Sequence, residues 1–341
     1  MNLKQYTIRL CKKNEYEKLI EFFKRYWDES HVFCRNKKIF EFQHGDARDG
    51  EYDFIIAVQN LTNEIHGVLG FISSSTYDKG DKKNPIFISG ALWKVRDDIV
   101  NQEIGRLGLG MLFFLLKKYP KAAYTTLGLS RDSQQIYDAL HFDFGLMEHY
   151  YIANRDINSF FIADEPVVNH NVKEDTDYKL QFISEIPQEL KSCFFPPKDA
   201  AYIENRYSKH PFYRYEMLGV YKNNQIKSVW ITREIDVNNH KCMRIVDIVG
   251  DISELKGVEG NIYKFLKERN AEYIDCYCHG INKEFFFQIG FKEVEGKTII
   301  PNYFEPYEKK NVDIYYAAYS EKPIVIFKGD GDQDRPNLLD M

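Results

Sequence analysis

One stretch of the chain carries the residue types of an anion-binding turn. Ala91-Leu92-Trp93-Lys94-Val95-Arg96-Asp97-Asp98 is followed by Ile104-Gly105-Arg106-Leu107-Gly108-Leu109-Gly110-Met111. The pattern reads as a strand that feeds a glycine-bearing turn, which then opens an apolar helix. Backbone N–H groups at a helix N-terminus have no intrahelical partner, and the helix dipole adds partial positive charge there. Glycines let the backbone approach an anion closely. Such a turn suits a pyrophosphate, with Arg96 and Arg106 adding charge beside it. A dinucleotide-binding turn would follow the first strand and carry an acid about 20 residues on. Here the glycines follow the fourth strand-like run, and the Gly-Lys-Ser/Thr of a triphosphate-binding loop is absent. The competing reading is close packing of the helix on the sheet through Gly108 and Gly110.

Two other clusters resemble chemical motifs and are set aside. Asp330-Gly331-Asp332-Gln333-Asp334 has the alternating acids of a calcium loop, but the sixth position is Arg335 and the twelfth is Met341. It is expected to be a solvated or interface tail. Cys276-Tyr277-Cys278-His279 has no second ligand cluster nearby, and strand alternation puts its two thiols on one face, as in a core. No metal is expected.

The elements that must position the turn come from a chain of 341 residues, long enough for two domains. Hydrophobic residues make up 44% and charged residues 28%, a soluble globular balance that excludes disorder as the main state. Lys plus Arg number 46 and Asp plus Glu 51, a net charge of −5. That balance argues against gripping a nucleic acid backbone, so no nucleic acid partner is expected. No apolar run of about 18 residues occurs, so no membrane insertion is expected. The N-terminus lacks the apolar core of a signal peptide. Six scattered cysteines read as reduced thiols in a cytoplasm.

Along the first half, periodicity predicts a strand over 6–10 and an amphipathic helix over 15–27, with a second helix or cap over 31–42. Strands at 53–58 and 65–73 form a hairpin across Asn60-Leu61-Thr62-Asn63. A polar loop (74–85) leads to a strand (86–95), the helix (107–119), a strand (123–129), a helix capped by Ser130 (130–140) and a strand (144–153). A polar linker is predicted at 154–177. The second half repeats the order: a strand at 178–183, helices at 187–194 and 200–207, a hairpin of 217–221 and 228–233, a strand at 243–249, a helix at 260–269, a strand at 273–277, a short helix at 283–289 and late strands at 314–319 and 323–327. Ile136-Tyr137-Asp138-Ala139-Leu140-His141-Phe142 parallels Phe285-Phe286-Phe287-Gln288-Ile289-Gly290-Phe291, 149 residues later. The expected architecture is therefore α/β (α+β, mixed sheet): tandem domains at 1–153 and 178–341, each a mixed, mostly antiparallel sheet flanked by helices.

The strand order, the glycine turn after the fourth strand and the 137–142 stretch together resemble a GNAT-type acyl-CoA N-acyltransferase. The resemblance covers about residues 5–153 and is fainter beyond. The family turn is Arg/Gln-x-x-Gly-x-Gly/Ala; Gly108 and Gly110 match, while Gly105 stands at the Arg/Gln position. The later Tyr-x-x-x-Gly-Phe matches at Tyr137 and Phe142, with His141 in place of glycine. The resemblance implies acetyl-CoA as the acyl donor. Amides of Gly105, Arg106, Leu107, Gly108, Leu109 and Gly110 would hold its pyrophosphate, with Arg96 adding charge, and the free strand edges near Trp93, Lys94 and Val95 and near Thr126 to Leu129 would pair with its pantetheine. The amine attacks the thioester directly, so no cysteine nucleophile is needed. Tyr137 is the candidate acid for the departing thiolate. His149 and Glu148 are the candidate bases, only one of which faces a given side of their strand.

The implied acceptor is a small-molecule amine. A narrower resemblance, through Trp93-Lys94-Val95-Arg96-Asp97-Asp98, to GNAT-like proteins of bacterial surface-polysaccharide gene clusters implies a nucleotide-linked amino sugar. His210-Pro211-Phe212-Tyr213-Arg214-Tyr215 either touches that sugar nucleotide or packs as surface. In the second half Phe286 replaces Tyr137, and Gly250-Asp251-Ile252-Ser253-Glu254-Leu255 places acids at the matching turn, which repel an anion. That half is expected to have lost acetyl-CoA binding and to serve the acceptor or stability. The rival readings are an aminoacyl-tRNA-dependent transferase of the peptidoglycan-bridge type and a non-catalytic tandem scaffold. The oligomeric state stays open.

Overall fold

The computed structural model describes residues 3–45, 50–78, 80–188 and 190–339. The first half runs β1 (Tyr6–Lys12), α1 (Tyr16–Tyr26), α2 (Val32–Arg35), α3 (Lys37–His44), β2 (Glu51–Gln59), β3 (Ile65–Ser73), α4 (Ser75–Asp78), β4 (Phe87–Val95), α5 (Ile104–Lys118), β5 (Ala123–Leu127), α6 (Arg131–Ala139), β6 (Asp143–Leu146) and β7 (Glu148–Ala153). The second runs β8 (Tyr178–Ile183), α7 (Ala200–Ile203), β9 (Tyr215–Lys222), β10 (Gln225–Val237), β11 (His240–Gly250), α8 (Glu259–Arg269), β12 (Ala271–His279), α9 (Lys283–Gln288), β13 (Lys292–Glu293), β14 (Tyr315–Tyr319) and β15 (Ile326–Phe327). Two mixed sheets flanked by helices result. In each, only the two central strands pair in parallel, β4 with β5 and β11 with β12.

Helix α1 forms because Tyr16, Leu19, Ile20 and Phe23 recur on one face, and it buries them against β2 and β3. Helix α5 covers the opposite face of that sheet through Leu107, Met111, Leu112 and Leu115. Strand β3 is therefore buried along its whole length. A third core joins the halves, with Ile72, Phe87 and Leu127 of the first sheet against Val229, Val246 and Tyr277 of the second.

Sheet membership does not follow chain order. The first sheet is ordered β1-β2-β3-β4-β5-β14-β6 and the second β13-β7-β12-β11-β10-β9-β8. The stretch 144–153, read as one strand, is two: β6 stays in the first sheet and β7 crosses to the second. Buried Met147 forms the corner, donating its N–H to Ile314 O at 2.9 Å. In return β14 inserts between β5 and β6. The predicted linker docks rather than floats. The N–H groups of Phe161, Ile162 and Ala163 all donate to the buried Glu272 carboxylate, at 2.8, 2.8 and 3.1 Å. The helix expected at 187–194 does not form among the described residues there. The following chain instead receives a bond from Val325 N–H at Phe195 O, 2.7 Å.

Candidate active site

The central strands of the first sheet part company. Parallel pairing of β4 and β5 runs from Phe87–Ala123 to Gly90–Thr126 and stops. Strand β4 continues to Val95, so residues 91–95 have no strand partner on that side among the described residues. An extra residue causes the change: Phe71 faces Gly90 and Leu69 faces Trp93, two steps on β3 against three on β4. Such a bulge bends and re-aims its strand. Ala91, Trp93, Lys94 and Val95 are half-buried along the resulting fork.

Two phenols mark its apex. A Cβ on Gly90 would lie 2.3 Å from Tyr124 Oη, so only glycine leaves room for that hydroxyl. Tyr124 Oη is 2.7 Å from Tyr137 Oη. Tyr137 is 1% exposed and stands edge-on to Trp93 at 6.0 Å between ring centres. Burial pushes its phenol well above the ordinary value and that of Tyr124 up to about 12, so both are protonated at neutral pH. Helix α6 holds Tyr137 there, capped by Ser130 at its start and followed by His141 at φ 58°. His141 thus adopts the left-handed turn that glycine serves in the family pattern. Gly290, 149 residues on, does the same at φ 96°.

The glycines lie differently from expectation. Helix α5 starts at Ile104, about one turn earlier than predicted, so Gly105 is inside it rather than in a turn before it, and Gly108 and Gly110 lie deeper in the helix. The reason is a cap: Asn101 Oδ1 accepts from the N–H groups of Glu103 and Ile104 at 2.9 and 2.7 Å. Gly108 packs on the sheet, where a Cβ would lie 3.2 Å from Trp93 Cζ2. Gly105 is different, with nothing within 4 Å of its β-position. It and Arg106 form the exposed face of the first turn, Leu109 and Gly110 are half-buried behind it, and Leu107 points into the core. Arg96 is committed elsewhere: it bonds Asp98 at 2.9 and 2.8 Å and Glu64 at 3.2 Å. Lys94 pairs with Asp97 at 2.9 Å.

His149 and Glu148 are not brought to this fork. Both ride on β7 into the second sheet. His149 Nε2 lies 2.9 Å from Asp275 Oδ2, and its ring stacks on Tyr277 at 3.6 Å. Arg244 already neutralises Asp275, so burial dominates and holds the His149 imidazole down at about 4. Glu148 Oε2 stands 3.6 Å from His279 Nδ1.

The sequence reading missed a third wall. Residues 328–337 form a buried strap between the sheets, not a solvated tail. Gly331 abuts both arms of the fork: its β-position is 3.2 Å from Ser89 Oγ and 3.2 Å from Leu127 Cδ1. The Gln333 amide reaches into the space beside Gly128. A signal existed in Arg233 and Arg244, charges set in otherwise apolar strand runs that demand buried partners. Among the described residues no group of three or more His, Cys, Asp or Glu side chains is placed to hold a metal ion. No described helix is long and apolar enough to cross a membrane.

No protein-family model matches the chain, and no curated protein is similar to it in sequence. Solved structures do match. A GCN5-related N-acetyltransferase from Anabaena variabilis ATCC 29413 aligns over 91% of this chain and 72% of its own, with TM-score 0.54 and 7% identity. A conserved protein of unknown function from Enterococcus faecalis V583, described as a probable N-acyltransferase, aligns over 92% and 72%, with TM-score 0.50 and 9% identity. At those identities the likeness is one of fold, and the fold is that of GCN5-related N-acetyltransferases.

Proposed function

We propose that the protein transfers an acetyl group from acetyl-CoA to the amine of a small acceptor. The observation that carries this reading is the fork between β4 and β5, open beside the first turn of α5 and floored by two protonated phenols. The pyrophosphate rests on the exposed face of that turn at Gly105 and Arg106, where the helix dipole and the Arg106 charge favour an anion. The pantetheine amides pair with the free edge of β4 at residues 93–95. This delivers the thioester to the apex, where the amine attacks its carbonyl directly. Tyr137 then gives its proton to the departing thiolate. A nucleotide-linked amino sugar bound for a surface glycan is the acceptor class to test first. All six cysteines are unpaired, which suits work in a reducing cytoplasm.

Calorimetric titration with acetyl-CoA tests the donor site, using the parent and Gly105→Glu. The variant adds an anion in open space, so the helix stays intact while the pyrophosphate is repelled. Binding by the parent and its loss in the folded variant are expected. No binding by the parent rejects acetyl-CoA as donor; equal binding by both moves the donor away from α5.

A further inference from the structure

We infer that Asp332, on the buried strap, is the general base that takes the proton from the attacking amine. The inference rests on the acyl-transfer reading of the same fork. The strap is anchored on both sides of this residue. Lys198 Nζ is 2.6 Å from Asp330 Oδ1, and Arg233 Nη2 is 2.8 Å from Asp334 Oδ1. Arg206 Nη2 donates to Gly329 O at 3.1 Å and to Gly331 O at 2.8 Å. The neighbouring acids are thus consumed by the second half of the chain. Asp332 is not: it is 9% exposed, its carboxylate accepts no hydrogen bond from the described residues, and its one ionic neighbour is Arg335 Nε at 3.8 Å. Its chain neighbours Gly331 and Gln333 are the strap residues that meet β4 and β5 at the apex.

The geometry separates acid from base. Ser89 and Gly90 are successive residues of β4, so their side-chain directions oppose. The phenols occupy the Gly90 face, and the strap occupies the Ser89 face. A thioester threaded through the fork therefore meets Tyr137 on one side and, on the other, the strap of Gly331 and Gln333 that carries Asp332 between them. The N–C bond forms as the amine proton passes to the Asp332 carboxylate. The C–S bond breaks with its electron pair on sulfur, which takes the Tyr137 proton. Solvent returns the proton from Asp332 to the phenolate, so the net products are amide and free thiol.

The test combines a complex with turnover. The first arm is a crystal structure with acetonyl-CoA, a thioether ketone that cannot transfer its acyl group. The carboxylate of Asp332 is expected within hydrogen-bond reach of the carbonyl's attack face, directly or through one water. A carboxylate facing away from the carbonyl overturns the inference. The second arm follows thiol release from acetyl-CoA, with water and a panel of small primary amines, for the parent and Asp332→Asn. A fall of about 100-fold or more in kcat is expected, with calorimetric acetyl-CoA affinity and melting temperature unchanged. An unchanged kcat and pH profile in Asp332→Asn rejects the base while leaving the acyl-transfer reading intact. Failure of the parent to bind acetyl-CoA rejects both.

Discussion

The two halves of the chain begin the same helix in opposite circumstances. In the first, β4 and β5 part after Gly90 and Thr126, and Gly105 at the start of α5 faces open space. In the second, β11 and β12 stop pairing after Ile245 and Cys276, but β15 fills the gap, pairing Ile326 and Phe327 with His279 and Cys278. The start of α8 is covered as well. A Cβ on Gly260 would sit 2.1 Å from Lys173 O, and Asn261 exchanges hydrogen bonds with the backbone of Asp175. The acids at 251 and 254 are thus one obstacle to an anion, and steric closure by the linker and β15 is a larger one. A fork between parallel strands stays open only where no further strand pairs into it. The segment that closes the second fork continues as the strap that lines the Ser89 face of the first.

That continuity gives the largest expected effect. Lys198 is buried between Asp247 and Asp330, at 2.6 Å from each. Lys198→Ala leaves two buried carboxylates without their cation, a loss of about 3–5 kcal/mol by analogy with broken buried pairs. Urea unfolding checks it, and a loss below about 1 kcal/mol would show that the strap is not what holds the halves together. Gly260→Ala comes next. The colliding atoms are backbone, so a loss of about 1–3 kcal/mol is expected, with acetyl-CoA affinity unchanged. A fall in affinity would mean that the second helix start takes part in binding after all.

The order of elements in the first half was legible because period-3.6 and period-2 patterns are local properties of a segment. The 149-residue repeat was legible for the same reason, and its two turn positions, His141 and Gly290, share the left-handed conformation. The exchange of β7 and β14 was not. Pairing partners 120 to 195 residues away leave no trace in a strand's own pattern, and the one glycine of 144–153, Gly145, pairs with Tyr316 inside β6 rather than marking the corner at Met147. Whether the strap was solvated or an interface stayed open because Asp-Gly-Asp-Gln-Asp has the composition of a solvated loop. Its burial depends on Lys198, Arg206 and Arg233, each roughly a hundred residues distant or more. The helix start moved because Asn101 caps it, a residue overshadowed by the glycines that follow.

Acid acts through buried histidines of both halves. The imidazole of His149, sealed in the second sheet, is held down at about 4 in the folded protein, against an ordinary value near 6.5. The unfolded chain therefore takes up the proton first. Stability is fully present above about pH 6.5 and falls as the pH drops toward 4, by about 2 kcal/mol at pH 5 from this group alone. His31, His44 and His210, each held down at about 3 by burial, act in the same direction. Urea midpoints at pH 7 and pH 5 measure the slope, and His149→Gln should flatten it. A slope unchanged by that variant would remove His149 from the account.

The mirror image of Gly260→Ala is Gly105→Ala, the smallest effect and the sharpest on the comparison. The added methyl meets no atom within 4 Å and removes a glycine from a helix. Stability should rise by about 0.5–1 kcal/mol. The same methyl occupies the surface on which the pyrophosphate is proposed to rest, so acetyl-CoA affinity should fall. One substitution then moves stability up and binding down, whereas its counterpart at Gly260 moves stability down and leaves binding alone. Thermal melts and calorimetry on the two variants give four signs, and any one of them reversed would break the assignment of an open first fork and a closed second.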